Sequence, residues 1–354
     1  MAPISRQPNH SEKFNRIIGG VFGLECSVLP QYPSPPFLTG RDLLLVNARS
    51  GIWLLVNKLR PPQVWVPSYL CHTILGAIDK NVSVTRFYEV DYNLQILSNQ
   101  WISEVNSGDM VIFIDYFGFS YDRRFAVSVK EKGAWVLEDA AQSLLSSHVG
   151  KHSDFVLFSL RKWVGVPDGG ILRFDESNVH FDISLATPTA AWWLNALQAN
   201  ILRREFDNGL PTREWFKNFK ETEDLAPTGP YAMSQLAQTI LEYSIDYSYI
   251  AQKRIDNYRA LLEKLTAYAV FPRIEPDVVP LGFPVRVANR DSVRQALFDH
   301  QIYPAVHWIL DGIIPSQYED SHLLARQIMT LPCDQRYRPE DMDEIAEVFL
   351  QCST

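Results

Sequence analysis

The 354-residue sequence predicts an α/β protein, with a mostly parallel sheet in a large domain and a smaller C-terminal α+β domain. Three observations carry this expectation. Short runs at 64–66, 82–88, 111–115, 135–137 and 155–158 are mostly apolar, as parallel strands covered on both faces are. Helical segments alternate with the first of them, which implies right-handed crossovers between neighbouring strands. After residue 174 the pattern turns helical, and short strand and helix signals return only from about residue 280.

The expected division is an N-terminal arm over 1–35, a large domain over 36–245 and a small domain over 246–354. Residues 1–16 are polar and aperiodic, and 31–36 (QYPSPP) form a turn-rich connection. Residues 43–46 read as a short strand or the start of a helix, running into an apolar helix that ends near 59. Ser50 and Gly51 near its start are candidates for an anion site, because free backbone N–H groups and the positive end of a helix point there. An ordinary N-cap is the competing reading. A helix is expected over 74–78. Tyr116, in the Asp115-Tyr116-Phe117-Gly118 segment that ends a strand, is a candidate to line a cleft or is simply core. Residues 190–204 form a helix with Trp193, Leu194, Leu197 and Ile201 on one face. Residues 208–224 are charged and aromatic, with turn signals at Asn208-Gly209 and Pro211, and 233–265 make one or two long helices. A strand at 280–285, a helix at 291–300 capped by Asp291, a strand at 302–307 and a final helix at 341–350 complete the chain.

Composition narrows the function. Acidic residues outnumber basic ones, 41 to 33, with no long basic run, so nucleic acid is not an expected partner. No run of about 18 apolar residues marks a spanning helix, and the polar start lacks the apolar core of a signal peptide. A cytoplasmic location is expected. Cys26, Cys71, Cys333 and Cys352 form no C-x-x-C pair, so no metal site or disulfide framework is expected.

The chemistry concentrates in 135–174. One apolar strand ends in Glu138, Asp139 and Gln142, and a second ends in Ser159, Arg161 and Lys162, where an open α/β sheet places its ligands. An acid and a lysine at neighbouring strand ends suit pyridoxal phosphate, which takes a lysine amine as a Schiff base and needs a carboxylate facing its ring nitrogen. Singly, Asp139 also reads as the cap of a helix over 140–145, and Lys162 as a solvated loop residue.

Together, EDAAQ, a second strand, SLRK and the PDGG turn resemble the active-site segment of the DegT/DnrJ/StrS family of pyridoxal phosphate-dependent sugar aminotransferases. The resemblance implies the fold-type I architecture. It puts Asp139 at the pyridine nitrogen, Gln142 near the phenolic oxygen and Lys162 on the cofactor. The family serine that helps hold the phosphate lies about five residues before the lysine. Ser159 lies three before Lys162, which leaves Arg161 as a substitute.

Val66-Pro67-Ser68-Tyr69 resembles a family segment followed by an aromatic that lies on the cofactor ring; here that position is Cys71, next to His72. Tyr303 to His307 resembles a Y-x-P-x-H piece, implying substrate contacts from His307 and Trp308, and Leu331-Pro332 with 339–342 resembles the closing segment. Arg254, Asn257 and Tyr258 match a shared pattern that reads as packing. The family implies that 208–224 reaches a neighbouring subunit's site, making Arg213 and Asn208 candidates for substrate contact, and Arg336 is a weaker anion candidate.

The reaction that the resemblance implies moves an amino group from an amino acid such as glutamate to a nucleotide-linked keto-sugar or to a related biosynthetic ketone. Lys162 would carry the proton, in a homodimer with shared sites. The departures at Cys71, Ser50 and Ser159 keep open pyridoxal phosphate chemistry of another type: elimination, racemisation or substitution. They also keep open a non-catalytic cofactor-binding regulator and a Ser159/Lys162 hydrolase.

Overall fold

The computed structural model describes residues 17–27, 34–40, 42–174 and 179–353. The polar stretch 1–16 and part of the 31–36 connection lie outside the described residues.

The chain begins with β1 (Ile18–Gly19), β2 (Asp42–Leu45), α1 (Ala48–Leu59), β3 (Gln63–Pro67), α2 (His72–Ala77) and β4 (Val84–Tyr88). It continues through β5 (Met110–Ile114), α3 (Arg123–Glu131), β6 (Trp135–Asp139), β7 (Phe155–Ser159) and β8 (Gly170–Phe174). Helices α4 (Ala190–Asp207), α5 (Glu214–Asp224), α6 (Gln235–Tyr243) and α7 (Tyr247–Leu265) follow. The C-terminal α+β part is β9 (Phe283–Arg286), α8 (Arg290–Asp299), β10 (Ile302–Tyr303), α9 (Glu319–Gln327), β11 (Ile328–Leu331) and α10 (Pro339–Ser353).

The central sheet has seven strands in the order β2-β8-β7-β6-β5-β3-β4. Strands β3 to β7 run parallel to one another, whereas β8 is antiparallel to both β7 and β2. All five residues of β5, MVIFI, are buried, as the unbroken apolar runs predict for a strand covered on both sides. Each such side chain contributes about 1.5–3 kcal/mol on burial. No described helix is long and apolar enough to cross a membrane.

Several expected elements differ in detail. No helix follows β6: residues 140–145 make turns, and the Asp139 carboxylate instead accepts the Ala141 N–H at 2.9 Å. Helix α1 is capped by Asn47, whose Oδ1 accepts the Ser50 N–H at 3.0 Å. Residues 233–265 form two helices, because Asp246 caps a new one through the Tyr249 N–H at 2.9 Å. Helix α8 begins after Asn289, and Asp291 sits in its first turn, paired with Arg290 at 2.7 Å. The strand expected over 302–307 is only β10, since Pro304 cannot donate to a ladder; pairing resumes at Ala305 opposite Thr330.

Residues 17–25, expected within an arm, are built into the fold. Strand β1 runs parallel to β10, with Ile18 opposite Ile302, and the Gly19 N–H donates to the Tyr337 hydroxyl at 2.6 Å. Further on, Leu24 N–H reaches Asn200 O (3.0 Å) and Glu25 N–H reaches Gly165 O (2.8 Å). The two backbones approach so closely that a Cβ on Gly165 would lie 1.7 Å from the Gly23 carbonyl oxygen.

Candidate active site

Parallel strands β6 and β7 are neighbours in the sheet, so their C-terminal ends deliver Asp139 and Lys162 to the same edge. Alternation along β6 sends the side chains of Glu138 and Asp139 to opposite faces. Glu138 belongs to a buried ion cluster behind the site. Its carboxylate meets Arg123 at 2.9 Å, Ser153 Oγ at 2.9 Å and the Gly150 N–H at 3.0 Å. Arg123 also pairs with Asp115 at 3.1 Å, and Asp115 meets His148 Nε2 at 3.2 Å. Burial, with Asp115 nearby, pushes the Glu138 carboxyl up to about 8.

Asp139 faces a cleft of about 450 Å³. Its carboxylate is buried and receives the single Ala141 N–H described above. Burial raises its pKa, and the Lys162 ammonium opposes that shift. Gln142 accepts the Phe117 N–H through Oε1 at 2.6 Å, and its buried Nε2 finds no partner among the described residues.

Lys162 ends a tight turn over Leu160–Lys162 that is anchored by the next residue. Trp163 is fully buried, its Nε1 donates to Ala141 O at 3.1 Å, and its own carbonyl accepts from Gln335 Nε2 at 2.7 Å. The guanidinium of Arg254 stacks on the same indole at 4.5 Å. One tryptophan therefore ties the turn carrying Lys162 to the turn carrying Asp139. Trp163 and Gln335 carried no sequence signal, and Arg254 read only as packing.

Cys71, Asp139, Gln142, Ser159, Arg161 and Lys162 all line the cleft, as do His307 and Trp308. His307 Nδ1 meets Thr330 Oγ1 at 3.0 Å, and burial, helped by Lys162, pushes its pKa down to about 3, so the ring is neutral at physiological pH. Trp308 packs beside Tyr69, ring centroids 5.4 Å apart. Cys71 Sγ lies 3.1 Å from Thr73 Oγ1.

Five other candidates are not part of the cleft lining. Ser50 is fully buried, with Oγ 3.0 Å from Asn47 Oδ1. Gly51 packs α1 onto the sheet: a Cβ there would lie 2.5 Å from Leu157 Cδ1. Asn47, Ala48 and Arg49 form the wall at this helix end instead. Gly170 allows that approach, since its Cβ would fall 2.1 Å from the Asn47 carbonyl carbon. Tyr116 is buried and donates its hydroxyl to Tyr69 O. Arg213 is exposed and holds the Tyr303 hydroxyl at 3.1 Å and Gln301 Oε1 at 2.8 Å. Asn208 only ends α4. Arg336 borders the cleft, but its guanidinium is committed to Asp334 (2.8 Å) and the Val21 carbonyl (2.8 Å).

No protein-family model matches the chain, and no curated protein matches it by sequence. Solved structures do match by fold. The chain is similar to the PLP form of Spr1654 from Streptococcus pneumoniae, with 15% identity and a TM-score of 0.64 over 88% of this chain and 86% of that one. It is similar to a DegT DnrJ EryC1 StrS aminotransferase from Brucella abortus (16%, TM-score 0.59, 88% and 86%). A third likeness is to the sugar aminotransferase CalS13 from Micromonospora echinospora (13%, TM-score 0.61, 88% and 87%). The fold of this chain is thus the α/β fold of these aminotransferases, with a mostly parallel central sheet and an α+β C-terminal part.

Proposed function

We propose that the protein is a pyridoxal phosphate-dependent aminotransferase that moves an amino group from an amino acid such as glutamate to a keto-sugar, carried on a nucleotide. The observation that carries this reading is a buried carboxylate, Asp139, and a lysine amine, Lys162, facing one cleft at adjacent strand ends.

The residues fit the cofactor. Asp139 is a buried acceptor with one N–H partner, which suits a cationic ring N–H, and the unpartnered Gln142 Nε2 suits a ring oxygen. Pyridoxal phosphate, when bound, supplies an aldehyde that captures amines and a protonated ring that accepts electron density. Asp139 would keep the proton on the ring nitrogen, and Lys162 would hold the cofactor and serve through Nζ as base and acid for the proton of the substrate carbon. His307, neutral and anchored by Thr330, offers a hydrogen bond without a charge, and Trp308 adds an apolar wall. That combination suits an uncharged, hydroxyl-bearing ring.

Residues from 246 onward supply His307, Trp308 and Leu281 to the cleft, and we treat them as a second domain. Helix α4 leaves Leu194 (57% exposed) and Ile201 (41%) uncovered, which supports a homodimer; light scattering tests it. The decisive experiment is the visible spectrum of the protein with pyridoxal phosphate, before and after glutamate, beside Lys162→Ala. A band that glutamate bleaches and the variant lacks is expected. A band that no amino donor bleaches would replace transamination by elimination, racemisation or substitution, and no band at all would overturn the cofactor.

A further inference from the structure

The end of the cleft beside α1 holds two guanidinium groups and one carboxylate. Arg49 stands in the first turn of α1 and Arg161 in the turn after β7. Glu223, in the last turn of α5, pairs with Arg161 Nη2, while its other oxygen is 3.8 Å from Arg49 Nη2. All three residues line the cleft.

The charges do not balance. Two guanidinium groups and the positive end of α1 face one carboxylate, while the Lys162 ammonium is set against Asp139. Asp168, the next acid, is already engaged by the Ser234 N–H at 2.8 Å and hydroxyl at 2.6 Å. Both arginines are partly desolvated: burial holds their pKa values below the ordinary range, and Arg49 repels Arg161 further. Glu223 serves one arginine well and the other poorly.

Glu223 is also free to leave. Its side chain is 33% exposed, so solvent is within a rotamer change. Helix α5 is held without it: Trp192 Nε1 donates to Thr222 O at 3.0 Å, and Asn195 Nδ2 reaches Asn218 O at 3.0 Å and Thr222 Oγ1 at 3.1 Å. A phosphate monoester brings close to two negative charges and three acceptor oxygens. It can bond both guanidinium groups at once, which one carboxylate here does not.

We infer that Glu223 is a resident counter-anion, seated against Arg161 and Arg49, which a phosphate monoester displaces, so that this end of the cleft selects dianions over carboxylates. The identity of that monoester as the cofactor's phosphate rests on the function proposed above; the anion site itself does not.

The test compares wild type, Glu223→Gln and Arg161→Gln without cofactor, titrated with inorganic phosphate, pyridoxal phosphate and pyridoxal, and read by tryptophan fluorescence and thermal shift. Glu223→Gln is expected to bind both phosphates about three- to fivefold more tightly, the scale of a partly exposed ion pair. Arg161→Gln is expected to bind them about tenfold or more weakly, the scale of a lost charge-assisted bond. Pyridoxal, which lacks the phosphate, should respond to neither change. Should Arg161→Gln fail to fold, Arg161→Lys reports the same direction with a smaller loss. Unchanged or weaker phosphate binding in Glu223→Gln overturns the inference, because Glu223 would then be a brace that orients the arginines. Tighter inorganic phosphate binding with no visible cofactor band in any variant would leave the counter-anion standing and remove the cofactor. A normal band with no effect of Glu223→Gln would do the reverse.

Discussion

Asp139→Asn removes one charge and leaves the shape of its turn, because an asparagine oxygen can still accept the Ala141 N–H. Its effects on the empty and loaded protein should be opposite. In the empty protein burial raises the Asp139 pKa above the ordinary value of 3.8, so the folded state favours the protonated form. Stability contributed this way is present below pH 3.8 and is lost as pH rises, so the ionised group is a burden at pH 7. The variant without cofactor should therefore unfold at a higher temperature at pH 7, with the gain disappearing at low pH. In the loaded enzyme the same change removes one partner of a buried charge pair, worth about 3–5 kcal/mol. At about 1.36 kcal/mol per factor of ten, the amino-donor half-reaction should slow by roughly two to nearly four orders of magnitude. Stopped-flow decay of the visible band with glutamate measures the rate, and thermal unfolding of the cofactor-free protein measures the stability. A slowing of less than about tenfold would refute the role of Asp139 at the ring nitrogen, and a less stable empty variant would refute the account of its burial.

Three further expectations can be checked on the purified protein. His307 refuses a proton until about pH 3 while the unfolded imidazole takes one near 6.5, so wild type should lose stability between those values; His307→Gln should flatten that loss in urea titrations at pH 7 and 4. Arg123→Ala strips the counter-charge from Asp115 and Glu138 and should cost about 3–5 kcal/mol of unfolding free energy; a loss below about 1 kcal/mol would mean that the cluster is solvated. Gly51→Ala pushes a methyl against Leu157 and should cost about 1–3 kcal/mol, without changing the preference for pyridoxal phosphate over pyridoxal.

The central strands were legible because parallel strands covered on both faces must be apolar along their length, as β5 is throughout and β6 and β7 are up to their C-terminal ends. The pairing of an acid with a lysine was legible for a related reason, since polar groups that interrupt such runs fall at strand ends. What remained hidden depends on contacts distant in sequence. Trp163 looks like any core aromatic until the structure brings Ala141 and Gln335 to it. The anion end was misplaced by a few residues: Ser50 and Gly51 have suitable chemistry, but the helix turns them inward and exposes Arg49 to the cleft. Glu223 gave no signal, because an acid in a charged helix is indistinguishable from a solvated one until its partners are known. Strand β1 was missed because its two residues make no pattern, and the strand it pairs with, β10, lies far along the chain.

That distance has a consequence for how the protein is made. Ile18 pairs with Ile302 of β10 and the Gly19 N–H with Tyr337, yet Ile18 and Gly19 leave the ribosome about 280 residues earlier, roughly 15 to 60 s at ordinary rates of synthesis. During that interval the backbone of Ile18 and Gly19 lacks the strand it pairs with. Closing a loop of that length comes late and slowly in folding. The segment that passes between Gly165 and the C-terminal strands is therefore among the earliest made and the last to be seated.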